Sequence, residues 1–194
     1  MELGFAARMP VFHRQELKTG SGPVEISNLV GDLKLQDGSG EIIISQVSGD
    51  VEIRDGSGNI EVERIDGRLA IHDGSGNIEV ETVGGLLDIR DGSGDITVTD
   101  LNNDGEIFDG SGNIDVRRVT GTLSLTDGSG AIDVADVEKD VIVYNSGSGR
   151  FNVRNIKGEV IDNSGPGNNR NSRFGNRNWD WDWDRDIDED NDGQ

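Results

Sequence analysis

The chain has 194 residues, a net charge of −20 and no cysteine. That charge excludes a nucleic-acid binder, which needs a cationic footprint to displace counterions, and it disfavours anionic membrane surfaces. Without cysteine there is no disulfide and no thiolate chemistry. Hydrophobic residues make up only 32% and glycines number 29, a balance that often means disorder; the strict spacing of the apolar residues argues against it here. Cations and cationic surfaces are the natural partners of such a chain.

Residues 1–18 come first. MELGFAARMPVFHRQ has no basic region followed by an apolar run, so it does not read as a signal peptide. No stretch approaches the roughly 20 apolar residues of a membrane span. As written, the chain is expected to be cytoplasmic, with no direct membrane insertion. Val11 and Leu17 keep partial register with the apolar residues beyond position 19, which predicts an N-terminal cap strand.

From residue 19 a repeat takes over. DGSG stands at 37, 55, 73, 91, 109 and 127, always 18 residues apart; TGSG at 19 keeps the interval, and NSGSG at 145 carries one extra residue. Numbering each repeat from its Asp, positions 6, 8, 11, 15 and 17 are apolar throughout, except at Gly105 and Asp162. In one repeat they are Ile60, Val62, Ile65, Leu69 and Ile71. Positions 6 and 8, and 15 and 17, are two apart, which is the strand period. Most are β-branched, as a pleated surface favours. Each repeat therefore reads as strand, corner, strand, corner: Asn59–Glu63, a corner at Ile65-Asp66-Gly67, Arg68–His72, and a corner at Asp73–Gly76.

One coil cannot bury enough to stand alone, so the coils must stack and pair above and below. The prediction is an all-β, single-domain parallel β-solenoid over residues 19–163. It has about eight 18-residue coils and is about 38 Å long at the usual strand spacing. The left-handed hexapeptide helix needs apolar residues six apart, and Asp66 and Asn77 break that rule. Parallel crossovers are generally right-handed, so a right-handed β-helix is expected. Gly at positions 2 and 4 permits a tight positive-φ corner, Ser at position 3 is small enough to turn inward, and Asp at position 1 bonds backbone N–H groups as an Asx-turn.

Residues 164–194 break the pattern. A Gly/Asn-rich stretch leads to NWDWDWDRDIDEDNDG, and the segment reads as a disordered linker and acidic tail. Alternation puts Trp179, Trp181 and Trp183 on one side of an extended segment. They are a candidate interaction site, with a solubilising tail as the equal alternative.

DGSGNIEV, GGLLDIRDGSGDITV and TGSGPVEI resemble the bacterial adhesin-like β-strand-repeat domains, a family of unknown function. The resemblance covers about 150 residues and is specific for the fold. It implies a right-handed solenoid at the cell envelope or surface, with no catalytic residues to carry over. The expected role is a non-enzymatic binding or display scaffold for an envelope polymer or protein. The alternative is a cytoplasmic solenoid that self-associates end to end, and a carbohydrate-active enzyme comes third.

Four further groups are candidates for chemistry. The column Asp37, Asp55, Asp73, Asp91, Asp109 and Asp127 is expected to cap corners through turn bonds. Exposed, it tolerates its own repulsion; half-buried, it needs cations such as calcium. Glu61, Glu63, Glu79 and Glu81 should form an acidic patch on one sheet face, read as solvated and as a candidate contact surface rather than a glycosidase pair. Two fragments, starting at Asp100 and Asp188, mimic half of an EF-hand loop. The first ends on Ser111 instead of Glu, and both read as accidental. His72, between Arg54 and Arg90 in its column, is expected to be outward and solvated. No cofactor is expected otherwise.

Overall fold

Alternating β-branched residues form strands, and the 18-residue interval lays each strand on its own copy one coil earlier. The computed structural model describes residues 6–7 and 14–164. Two nine-stranded parallel sheets result. Sheet 1 stacks β1 (Ala6–Ala7), β3 (Val24–Leu29), β5 (Ile42–Val47), β7 (Ile60–Ile65), β9 (Ile78–Val83), β11 (Ile96–Leu101), β13 (Ile114–Val119), β15 (Ile132–Val137) and β17 (Phe151–Ile156). Sheet 2 stacks β2 (Gln15–Lys18), β4 (Leu33–Gln36), β6 (Val51–Arg54), β8 (Leu69–Asp73), β10 (Leu87–Asp91), β12 (Gly105–Asp109), β14 (Leu123–Asp127), β16 (Val141–Ser146) and β18 (Val160–Asp162). The chain passes from one sheet to the other at every corner, and the corners between successive strands from β2 onward are three to five residues long.

The repeat interval is the pairing register. Ile60 faces Ile78, which faces Ile96. This is the β-solenoid of about eight coils that the spacing predicts. The N-terminal segment continues it: β2 pairs with β4 at the same interval, Gln15 against Leu33, and β1 pairs with β3. The region from 165 on, Trp179, Trp181 and Trp183 included, lies outside the described residues.

One aliphatic core runs between the sheets. Ile42, Ile44, Ile53, Ile71, Ile89, Ile96, Val116 and Leu125 are all fully buried in it. Gly105, a gap in the apolar columns, is filled from its own coil. A Cβ there would stand 2.7 Å from Cδ2 of Leu101, which occupies the space instead.

The corner after the longer strand begins inside the strand. Position 10 is left-handed in every coil, at Asn28, Gln46, Arg64, Thr82, Asp100, Arg118, Asp136 and Asn155, with φ between 57° and 62°. This single residue turns the chain so that positions 8 and 11, three apart, both face inward: Val62 and Ile65 are each 1% exposed. Spacing alone predicts the corner at Ile65–Gly67. The bend lies at Arg64, and Ile65 still pairs with Val83.

The DGSG corner divides labour between its glycines. Position 4 carries the positive φ, for example 141° at Gly58 and 144° at Gly76. Position 2 does not from Gly38 to Gly128; it is glycine because the coils approach closely, and a Cβ on Gly74 would lie 2.5 Å from the Gly56 carbonyl oxygen. The extra residue near 145 falls elsewhere than the motif suggests. Leu125 pairs with Val143, but Thr126 pairs with Asn145 and Asp127 with Ser146. Tyr144 is therefore the inserted residue, a bulge that keeps Asp127 opposite Ser146 but alters the corner that follows, where Gly147 rather than Gly149 takes the positive φ, at 61°.

Thr82 is the β-branched member of the left-handed column, where such residues are strained. Thr82→Asn, the residue found at 28 and 155, is expected to stabilise the protein by about 1 kcal/mol in urea denaturation.

Candidate functional site

Continuing the alternation of sheet 2 by one more step turns the DGSG aspartate inward, beyond Leu69 and Ile71. Asp37, Asp55 and Asp73 are 5–8% exposed, Asp91 3%, and Asp109 and Asp127 0%. They form a ladder with one rung per coil, Asp73 against Asp91 and Asp91 against Asp109 in strict register. Hydroxyl residues stand at both ends. Thr19 Oγ1 donates to Asp37 Oδ1 at 2.7 Å, and Ser146 takes the rung after Asp127.

In four of the six carboxylates one oxygen serves the corner, as expected of an Asx-turn. Oδ1 of Asp91, Asp109 and Asp127 accepts the N–H of Ser93, Ser111 and Ser129 at 3.2, 3.0 and 2.9 Å. Asp55 Oδ1 accepts from Gly56 N–H at 2.7 Å. The second oxygen has no partner at Asp37, Asp55, Asp91, Asp109 or Asp127, and at Asp73 neither oxygen has one.

Buried, half-satisfied carboxylates resist ionising. Burial, then the charges of Asp91 and Asp55, push Asp73 up to about 6. Burial does the same at Asp109, also to about 6; the Ser111 N–H opposes it and Asp91 and Asp127 add to it. Burial raises Asp55, Asp91 and Asp127 as well. At a strand spacing of about 4.8 Å, neighbouring charges repel by about 3 kcal/mol at an effective dielectric of 20.

The burial condition under which such a column calls for calcium is thus met. Calcium takes six to eight oxygens at roughly 2.4 Å. An ion midway between two rungs would reach both, but the next rung lies a further strand spacing away. Among the described residues no three His, Cys, Asp or Glu side chains gather around a point that could hold a metal.

The acidic patch forms on the outer face of sheet 1. Glu61 stands beside Glu79 and Glu63 beside Glu81. Arg64 pairs with Glu63; among the described residues no cation pairs with Glu61, Glu79 or Glu81. Further along, the acids are neutralised: Arg117 binds Asp115 at 2.6 Å and Arg154 binds Asp133 at 2.7 Å.

On the outer face of sheet 2, His72 does sit between Arg54 and Arg90. It is half-buried rather than solvated, and burial lowers its pKa, with Asp88 opposing and the two arginines reinforcing. Its neighbour Ala70 is only 3% exposed, and Arg68, with 15% of its side chain exposed, pairs with Asp88. The EF-hand-like fragment is ordinary solenoid: Asp100 binds Arg118 at 2.6 and 2.9 Å, and Asp104 Oδ1 accepts Thr122 N–H at 2.8 Å. The fragment from Asp188 lies outside the described residues.

Two side-chain ladders are not foreseen from the sequence. At position 5, Asn59, Asn77, Asp95 and Asn113 each accept the N–H of the same position one coil on, at 2.9–3.1 Å. At position 14, Asp32, Asp50, Asp104 and Asp140 do likewise at 2.8–2.9 Å. Recurrent Asn and Asp at those places is the signal that could have found them. No family model matches the chain, and neither a curated protein nor a solved structure is detectably similar to it.

Asp109→Asn keeps an acceptor for the Ser111 N–H and removes the charge. A carboxyl whose native pKa is raised costs stability above that value, near pH 6, and nothing below its unfolded value near 4, where both states are protonated. The substitution is expected to stabilise by on the order of 3 kcal/mol at pH 8 and to make little difference below pH 4, as read by urea denaturation.

Proposed function

We propose that the protein is a non-enzymatic binding or display scaffold whose flat acidic face engages a cationic partner. The observation that carries this reading is the row of Glu61, Glu79 and Glu81, held in register on an exposed sheet without a compensating cation among the described residues. Each such charge contributes little alone in water. A rigid array spaced at the strand interval offers several at once to a polymer or surface carrying amines, and the contributions add. Corners of three to five residues raise no long loops over this face, which suits a broad contact better than an enclosed reaction. The adhesin-like resemblance favours an envelope polymer or protein as the partner, and Trp179, Trp181 and Trp183 supply a second contact.

Self-association is the second reading, favoured by the last described coil. Phe151, Val153 and Ile156 are only partly buried there, and Val160 is 41% exposed. Among the described strands, β17 and β18 each pair on one side alone. Light scattering over a concentration series separates the readings: a strict monomer removes end-to-end stacking.

Binding to immobilised polyamine and to isolated envelope polymers tests the scaffold. The wild-type chain is expected to be retained and to elute with salt. The variant with Glu61, Glu63, Glu79 and Glu81 all changed to Gln should bind about tenfold more weakly. Changing the three tryptophans to Ala measures the second contact separately. Equal retention of the Gln variant and wild type would remove the acidic face from the account.

A further inference from the structure

The buried ladder presents a problem that the acidic outer face does not. Six carboxylates lie inside the solenoid, each more than nine-tenths buried, and each keeps at least one oxygen with no hydrogen-bond partner. The charges acting on Asp55, Asp73 and Asp109 are other rungs: Asp37 on Asp55, Asp55 and Asp91 on Asp73, Asp91 and Asp127 on Asp109. On Asp91 and Asp127 the only forces opposing burial are their own corner N–H groups. The side chains packed around the ladder from sheet 2 are aliphatic, Ile53, Ile71, Ile89, Ile107 and Leu125. The cationic side chains of that sheet, Lys18, Lys34, Arg54 and Arg90 with His72, are on the opposite face. Something must neutralise part of this row, and a proton is the one neutralising species that needs neither a cavity nor a coordination sphere.

We propose that the ladder is an acid-responsive lock: on mild acidification alternate rungs, Asp73 and Asp109, each take one proton from solvent and donate it as an O–H···O⁻ hydrogen bond to the unpartnered oxygen of a neighbouring rung. Geometry selects the alternation. Asp37 already receives the Thr19 hydroxyl, and Asp127 has the neutral Ser146 on one side. Asp55, Asp73, Asp91 and Asp109 have carboxylates on both sides. Protonating Asp55 and Asp91 would leave Asp109 charged against Asp127, both fully buried, whereas protonating Asp73 and Asp109 leaves only Asp37 beside Asp55, where the Thr19 hydroxyl already serves Asp37. Protonating Asp73 and Asp109 relieves every adjacent pair from Asp55 to Asp127 with two protons, and Asp91 can then stay charged between two donors. Each proton converts a repulsion between coils into a bond between coils, so the rod tightens as the pH falls. Burial of Asp73 and Asp109 places this step near pH 6, well above where unfolded aspartates titrate. The lock is independent of what the acidic face binds.

The test follows the carboxyl carbons of the wild-type full chain by NMR from pH 8 to 4.5 in chelator, with melting recorded over the same range. Two aspartates are expected to titrate near pH 6 ahead of the other rungs, and Tm should climb by several degrees between pH 7 and 5. In the double variant Asp73→Asn/Asp109→Asn, Tm should begin higher at pH 8 and stay flat. Six rungs titrating at ordinary aspartate values would overturn the proposal, as would a Tm that falls from pH 7 to 5. A wild-type Tm at pH 7 that rises with added calcium and drops in chelator would also overturn it, by putting an ion between the rungs.

Discussion

Everything in this molecule depends on a strand hydrogen-bonding to its own copy one repeat away. Parallel pairing at a fixed interval means that each position meets the same position above and below, Ile78 between Ile60 and Ile96, Asp91 between Asp73 and Asp109. What the sequence puts at a position is thereby multiplied along the rod. Aliphatic side chains gain from that, because stacked Ile and Val close into a continuous core. Asn gains as well: its side-chain oxygen meets the next coil's N–H, as Asn77 meets Asp95. Glycine becomes compulsory wherever two coils touch through backbone, as at Gly56 and Gly74.

Aspartate is the residue for which self-stacking is unfavourable, and the protein handles it differently at different places. At position 14 the carboxylate takes the next coil's N–H near the surface, where water screens the rest, as Asp50 does with Arg68. On the outer face of sheet 1, arginines intercede in the later coils, Arg118 on Asp100 among them. At position 1 neither remedy applies. The carboxylate is needed to hold the corner, the corner turns it inward, and the fold then has six acids in a hydrocarbon environment with one hydroxyl residue at each end of the row.

The apolar columns are legible in the sequence because period two and period eighteen are both written directly in Ile, Val and Leu. The inward turn of the aspartates is not. Counting two on from Ile71 reaches Asp73, but a charged residue heading a Gly-Ser-Gly corner fits solvent as well as the interior, and the observed burial decides between them. The left-handed column is hidden for another reason: Arg64, Thr82 and Asp100 have nothing in common chemically, since backbone geometry alone sets that position and its side chains face outward. The Glu61–Glu81 patch is legible as a registered outer surface. Which of its members lacks a counter-ion depends on where Arg64 reaches, and spacing carries no information about that.

The bulge at Tyr144 bears on how such a chain can vary over generations. One surplus residue entered β16, and pairing resumed with Asn145 and Ser146, the only other change being in the corner that follows, where the positive φ sits on Gly147. An error of one residue in a strand is thus absorbed locally and leaves the neighbouring coils in phase. The same surplus inside a DGSG corner would meet backbone packed too tightly even for a methyl group. Single-residue length changes should therefore survive in the strands, while the turns admit only whole-repeat gains and losses, which lengthen or shorten the rod by one coil without altering its cross-section.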